Sequence, residues 1–316
     1  MAINKAVFAA LKALSYTDID IKKHYVLARN LINLTHYHYL KPFYGYKTWE
    51  HTVTVGDHDV PVRIFSPEDP IVELPAYPVL LFFHGGGWVT GNIDSYDKVC
   101  TNMARLTDHL VVSVDYQLAP EFPFPAALND CYGVAKEIFA DSALFQIRPE
   151  QITMIGDSAG ANLAAAVSLL ARDRGEFLPK RQILIYPAAY NDHSETSPFP
   201  SVRENGTDYL LTSKRICDYM DLYAGGAENR NSPYFAPLLA KDFSNQPDTL
   251  IITAEYDPLR DEGEAYGEKL REAGNRVVQH RVLDALHGFF SLPPSFDQVK
   301  ESYGYINDFL SEVPRY

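Results

Sequence analysis

The most constraining stretch of this 316-residue chain runs from Ile152 to Leu163. An apolar β-type run, Ile152-Thr153-Met154-Ile155, breaks into Gly156-Asp157-Ser158-Ala159-Gly160, and a small-residue helical pattern (Ala164, Ala165, Ala166, Val167) follows at once. Strand, sharp turn and helix in that succession lift a serine hydroxyl above the end of a sheet. Gly156 and Gly160 are expected where strand and helix backbones crowd, and Ser158 is expected in an unfavourable backbone region. A hydroxyl is a weak nucleophile near neutral pH. The turn therefore carries chemistry only if a base, an orienting acid and oxyanion donors converge on it.

The rest of the chain reads as alternating β and α patterns. A hairpin (51–55, a Gly56-Asp57 turn, 60–65) is followed by the continuous apolar run Pro78 to Phe83, the kind of strand buried on both faces. Strands are predicted over 110–114, 151–155, 182–186, 249–254 and 277–283, and helices over 126–139, 161–172, 261–273 and 296–310. Such alternation means a mostly parallel sheet with helices on both faces, an α/β fold. Before it, residues 1–48 read as helices followed by an aromatic run. Val26, Leu27, Leu31, Ile32 and Leu34 make an apolar face, and Tyr37, Tyr39, Phe43, Tyr44 and Tyr46 come next. The alternation lapses over 190–233, a polar, Asn-, Ser- and Pro-rich insertion with one helical stretch (214–223). The expected organisation is N-terminal cap helices (1–48), a catalytic domain in two pieces (49–189 and 234–316) and a cap insertion (190–233).

Three further segments supply the partners Ser158 needs. His84-Gly85-Gly86-Gly87 ends the buried strand, where consecutive glycines let backbone N–H groups face one point. With the N–H of Ala159 they form a candidate oxyanion hole; Gly86 and Gly87 are the preferred donors and Gly85 supplies the turn. Asp257 lies just past the predicted strand 249–254 and is the preferred acid. Glu255 is nearby with its direction open, Asp284 is the runner-up, and Asp261 and Glu262 are assigned to the first turn of the next helix. His287 follows the last strand and completes the order Ser158, Asp257, His287. The pair His36 and His38 has no accompanying ligand cluster, so no metal site is expected.

Composition sets outer limits. A net charge of −13, with no Lys or Arg run, argues against nucleic acid and against anionic substrates at long range, although a local site can override that average. Three widely spaced cysteines (Cys100, Cys131, Cys217) suggest no disulfide framework. Met1 to Tyr16 reads as an amphipathic helix rather than a signal peptide, because Lys12 interrupts its apolar run. No apolar run approaches the ~20 residues of a membrane span, so a cytoplasmic protein without a membrane partner is expected.

Taken together, His84 to Trp88, Asp115 to Glu121, Gly156 to Gly160, Ser232-Pro233-Tyr234, Asp257 to Glu262 and His287-Gly288-Phe289 resemble the hormone-sensitive-lipase-like family of α/β-hydrolases, most of all its bacterial acetyl esterases and carboxylesterases. The resemblance implies an eight-stranded α/β-hydrolase sheet with a small helical cap. It implies cofactor-free hydrolysis of a small-molecule ester of short acyl length, with Trp88 and Asp157 near the substrate, and a homodimer through the last strand. Gln117 and Phe122 depart from the family, which commonly carries Arg and His there; this puts a supporting hydrogen-bond network in doubt, not the triad. An amidase or lactonase would share the same triad. A non-catalytic receptor on this fold would have lost a triad member.

Overall fold

Five consecutive residues of Val79–Phe83 (β3) and of Leu110–Val114 (β4) are buried, as continuous apolar strands covered on both faces must be. A computed structural model describes residues 20–37 (backbone alone for 32–37), 48–67, 77–142 and 147–312. The helix expected over 1–16, His38 and the aromatic residues Tyr39, Phe43, Tyr44 and Tyr46 lie outside the described residues. The other strands are Thr48–Val55 (β1), His58–Phe65 (β2), Ile152–Asp157 (β5), Arg181–Ile185 (β6), Asp248–Tyr256 (β7) and Val277–Leu286 (β8). They form one eight-stranded sheet in the order β1-β2-β4-β3-β5-β6-β7-β8. β1 pairs antiparallel with β2, and β2 with β4; every later pairing is parallel.

Because side chains alternate along a strand, β3 feeds two cores. Val79, Leu81 and Phe83 enter one, against the helices Ala126–Ala140 (α3), Ala159–Arg174 (α4) and Arg260–Glu272 (α7). Leu80 and Phe82 enter the other, against Asp97–Thr107 (α2) and Asp297–Ser311 (α8). The strand order reverses beside β3: the chain goes outward to β4, then returns to β5 on the other side. Crevices at the carboxyl ends of strands flanking such a reversal are where open α/β sheets bind ligands. The glycine run leaves the end of β3 there, and Ser158 leaves the end of β5.

The helix α2 was not anticipated. Its buried residues Val99, Cys100, Met103, Ala104 and Thr107 do follow helical spacing, but polar neighbours hide the stripe. The last strand also runs three residues past the expected Leu283, with a register irregularity opposite Ala254–Tyr256. Within the 190–233 insertion lie Pro200–Glu204 (α5) and Ser213–Ala224 (α6). The helix Ile21–Tyr37 (α1) meets α6 through Lys22, which pairs with Asp218 and Asp221. Arg29 of α1 donates to the carbonyls of Val89 (2.5 Å) and Ala119 (2.6 Å) and pairs with Glu121. The apolar face expected on α1 is turned the other way: Ile21 and Ala28 are buried, whereas Val26, Leu27 and Leu31 are exposed. Polar anchors at Lys22 and Arg29, not that face, set its docking. At Gln117, the backbone N–H is held by the buried Asp130 (2.8 Å), whose other oxygen meets His58. None of the described helices is long and apolar enough to cross a membrane.

The strand–turn–helix junction is steric. A Cβ on Gly156 would overlap the Gly160 carbonyl, and one on Gly160 would overlap the backbone carbonyls of Phe83 and His84. Gly160→Ala is therefore expected to cost about 1–3 kcal/mol, because the atoms in the way are backbone and cannot step aside. Gly304→Ala, in open space on α8, is expected to stabilise by about 0.5–1 kcal/mol. Thermal melting of both variants checks this; equal melting temperatures would contradict it.

Candidate active site

Ser158 sits at φ 54°, ψ −117°, between the end of β5 and the start of α4. This strained conformation costs on the order of 1–3 kcal/mol. It is held on both sides, since the Ser158 N–H donates to the Ile185 carbonyl (2.9 Å) and its carbonyl accepts from Asn162 (3.0 Å). The hydroxyl is thereby presented to the crevice rather than capping the helix.

Two distant loops reach it. His287 follows β8 directly, and Gly288 takes up a left-handed conformation (φ 84°) that turns the chain away behind it. The Oγ of Ser158 lies 2.8 Å from His287 Nε2, and His287 Nδ1 lies 2.7 Å from Asp257 Oδ2. Asp257 is fully buried, and its second oxygen accepts the Leu259 N–H (2.8 Å). One carboxylate thus closes its own turn and orients the imidazole. The Tyr186 ring packs on His287 at 4.7 Å. The other acids are employed elsewhere. Glu255 accepts the backbone N–H of Asp284 (2.7 Å), which fixes the bend at φ 57° before His287. Asp261 and Glu262 lie in the first turn of α7, where Glu262 accepts the N–H groups of Ala189 and Tyr190 and meets the buried His193 at 2.6 Å.

Of the three glycines placed at the candidate oxyanion hole, Gly85 was expected to supply the turn rather than to be a preferred donor, and its hydrogen bonds set it apart from the other two. The Gly85 N–H is already taken: it donates to Asp157 Oδ1 at 2.8 Å and lies 3.1 Å from the Tyr96 hydroxyl. Gly85 is therefore a fastening point, not a donor to substrate. Among the described residues no acceptor takes the N–H groups of Gly86, Gly87 or Ala159, and all three residues line the cavity beside Ser158. Gly86 (φ 122°) could not carry a side chain without striking the Thr90 carbonyl. Asp157 lines the cavity too, but both its oxygens are engaged, since Tyr96 donates to Oδ2 at 3.0 Å. Through these contacts it holds the glycine loop. Burial pushes its carboxyl up to about 6, against the opposing hydrogen bond from Tyr96. Burial also raises the Tyr96 phenol, which stays a donor, and lowers the His84 imidazole, which stays neutral while stacked on Tyr116 at 4.3 Å. Trp88 reaches the cavity, yet its ring is mostly spent on Tyr223, stacked at 4.5 Å.

The cavity measures about 250 Å³. Ser158, His287 and the glycine loop line it on one side, and Leu210, Leu211, Ile216 and Tyr219 of the 190–233 insertion complete it. These cap residues and Tyr96 were missed in the sequence. Ile216 and Tyr219 have helical spacing on α6, but nothing local shows which face of a cap helix meets the crevice.

The residue pattern of a family described by the α/β hydrolase fold matches residues 80–291, from β3 through the loop after His287. The chain belongs to this family. Within the fold it falls in the hormone-sensitive-lipase-like group of enzymes. This α/β hydrolase is 34% identical over 259 residues to an arylesterase of Saccharolobus solfataricus, covering 82% of each chain. It is 33% identical over 251 residues to an ethyl acetate hydrolase of Pseudomonas putida, covering 78% of this chain and 77% of the relative. Among solved structures it is similar to a hyperthermophilic esterase of Pyrobaculum calidifontis, with a TM-score of 0.85 and 34% identity over 98% of both chains.

Proposed function

We propose that this α/β hydrolase is a serine carboxylesterase acting on short-chain acyl esters, acetyl to roughly hexanoyl, through an acyl-enzyme. The observation that carries the reading is the unbroken chain from Ser158 Oγ through His287 to Asp257, beside three N–H groups with no acceptor among the described residues. His287 Nε2 takes the Ser158 proton as Oγ attacks the ester carbonyl. Asp257 keeps the other proton on Nδ1 and stabilises the imidazolium. The tetrahedral oxyanion is received by Gly86, Gly87 and Ala159. As the carbonyl re-forms, the carbon–oxygen bond to the alcohol breaks and His287 protonates the departing oxygen. Water then repeats the sequence on the acyl-serine and releases the acid. The route uses only the chain's own groups and water.

The short-acyl part is supported by the cavity, which is smaller than the roughly 300–1,000 Å³ of most small-molecule sites, and by the relative that hydrolyses ethyl acetate. A series of p-nitrophenyl esters from acetate to palmitate tests it. The kcat/KM is expected to be highest between acetate and hexanoate and to fall by about tenfold or more at palmitate. Comparable values for butyrate and palmitate would overturn the acyl-length limit. Ester and amide pairs of the same acyl group, run alongside, separate an esterase from an amidase.

A further inference from the structure

The lining of the cavity contains one cation the ester chemistry above does not use. Arg215 of α6 lines the cavity, and one of its guanidinium nitrogens donates to the Leu210 carbonyl (3.1 Å). Among the described residues no carboxylate pairs with it. The neighbouring acids of α6 are taken, Asp218 by Lys22 and Lys214, and Asp221 by Lys22 and Arg230. The acid that lines the cavity is also taken, Asp157 by Gly85 and Tyr96, and the buried Asp257 behind His287 is held by His287 and Leu259. A guanidinium offers five N–H donors in a planar fork suited to a carboxylate, and the Leu210 carbonyl uses one.

Its placement relative to the chemistry follows from the helix. The Tyr219 ring lies over Gly87, so close that a Cβ on that glycine would meet it at 2.5 Å. Arg215 is four residues earlier on the same helix, one turn or about 6 Å along the axis. Leu211 and Ile216, beside Arg215 in the chain, give the same cavity an apolar lining. Low-polarity surroundings of this kind strengthen a charge-assisted hydrogen bond.

We propose that Arg215 binds a carboxylate on the substrate, so that the esters accepted by this site include anionic ones with a carboxylate a few bonds from the scissile carbonyl. The proposal rests on the esterase reading and names its substrate class. The local cation also answers the long-range repulsion that a net charge of −13 exerts on such substrates.

The test uses the full chain, Arg215→Met and Arg215→Lys. The kcat/KM is measured for p-nitrophenyl butyrate and mono-p-nitrophenyl glutarate, a neutral and an anionic acyl group. A second pair, butyl acetate and 4-acetoxybutyrate, places the charge on the alcohol instead. The readout is the anionic-to-neutral ratio. In Arg215→Met it is expected to fall about 10- to 100-fold in at least one pair, which also assigns the side that Arg215 faces, with partial recovery in Arg215→Lys. An unchanged ratio in both pairs, or an equal loss for neutral and anionic esters, overturns the proposal. Thermal stabilisation by free glutarate, expected for the unmodified chain and not for Arg215→Met, reads the contact without turnover. Failure of the unmodified chain to hydrolyse any neutral ester would strike the esterase reading instead.

Discussion

Replacing Ser158 with alanine is expected to lower kcat on p-nitrophenyl acetate by about 10⁶-fold, the loss other serine hydrolases suffer when the nucleophile goes. The size follows from the geometry. With Oγ absent, His287 Nε2 has nothing to deprotonate at 2.8 Å, and no covalent intermediate can form. What remains is the three-donor cradle of Gly86, Gly87 and Ala159, which stabilises an oxyanion formed by direct attack of water. Stability should hardly change, because alanine occupies the same strained backbone position between Ile185 and Asn162 and removes one cavity-facing hydroxyl. Kinetics, a thermal melt and labelling with a fluorophosphonate together decide the matter. Most of the activity surviving in a folded, unlabelled Ser158→Ala protein would remove Ser158 from the mechanism.

The second largest effect is expected at Asp257. Its two oxygens both accept, one from His287 and one from the Leu259 backbone N–H. Asparagine can satisfy only one of them. If its amide nitrogen faces His287, the imidazole must carry its proton on Nε2 and can no longer receive the serine proton. If the nitrogen faces Leu259, two donors confront each other in a fully buried position. The first outcome costs about 10⁴ in kcat by the wrong tautomer, and the second adds a loss of stability. Asp284→Asn, by contrast, leaves the His287–Asp257 contact intact and is expected to act mildly. A mild effect at Asp257 with a severe one at Asp284 would reassign the acid.

The buried ring of polar contacts behind the glycine loop explains why that loop can be so precise with so few side chains. Gly85 is tied to the residue immediately before Ser158, so the end of β3 and the end of β5 are coupled through Asp157. The proposed oxyanion donors and Ser158 then keep a common frame. Parallel pairing of β3 with β5, residue by residue up to Phe83 opposite Gly156, sets that frame.

Much of this was legible in residue order. Continuous apolar strand runs, the glycines around Ser158 and the residue types just past each strand end are local signals, because a strand's burial and a turn's φ angles depend on a few neighbours. Other features depend on groups far apart in the chain, and no local pattern carries them. The Gly85 N–H is committed to a carboxylate 72 residues later, so the glycine that supplies the turn also fastens the loop. The face of α6 that brings Arg215 and Tyr219 over the crevice was settled by cap packing. The outward turn of Val26, Leu27 and Leu31 followed from where Lys22 and Arg29 found partners. Chain order told which groups could do the chemistry; long-range packing selected which of their atoms were left unengaged to do it.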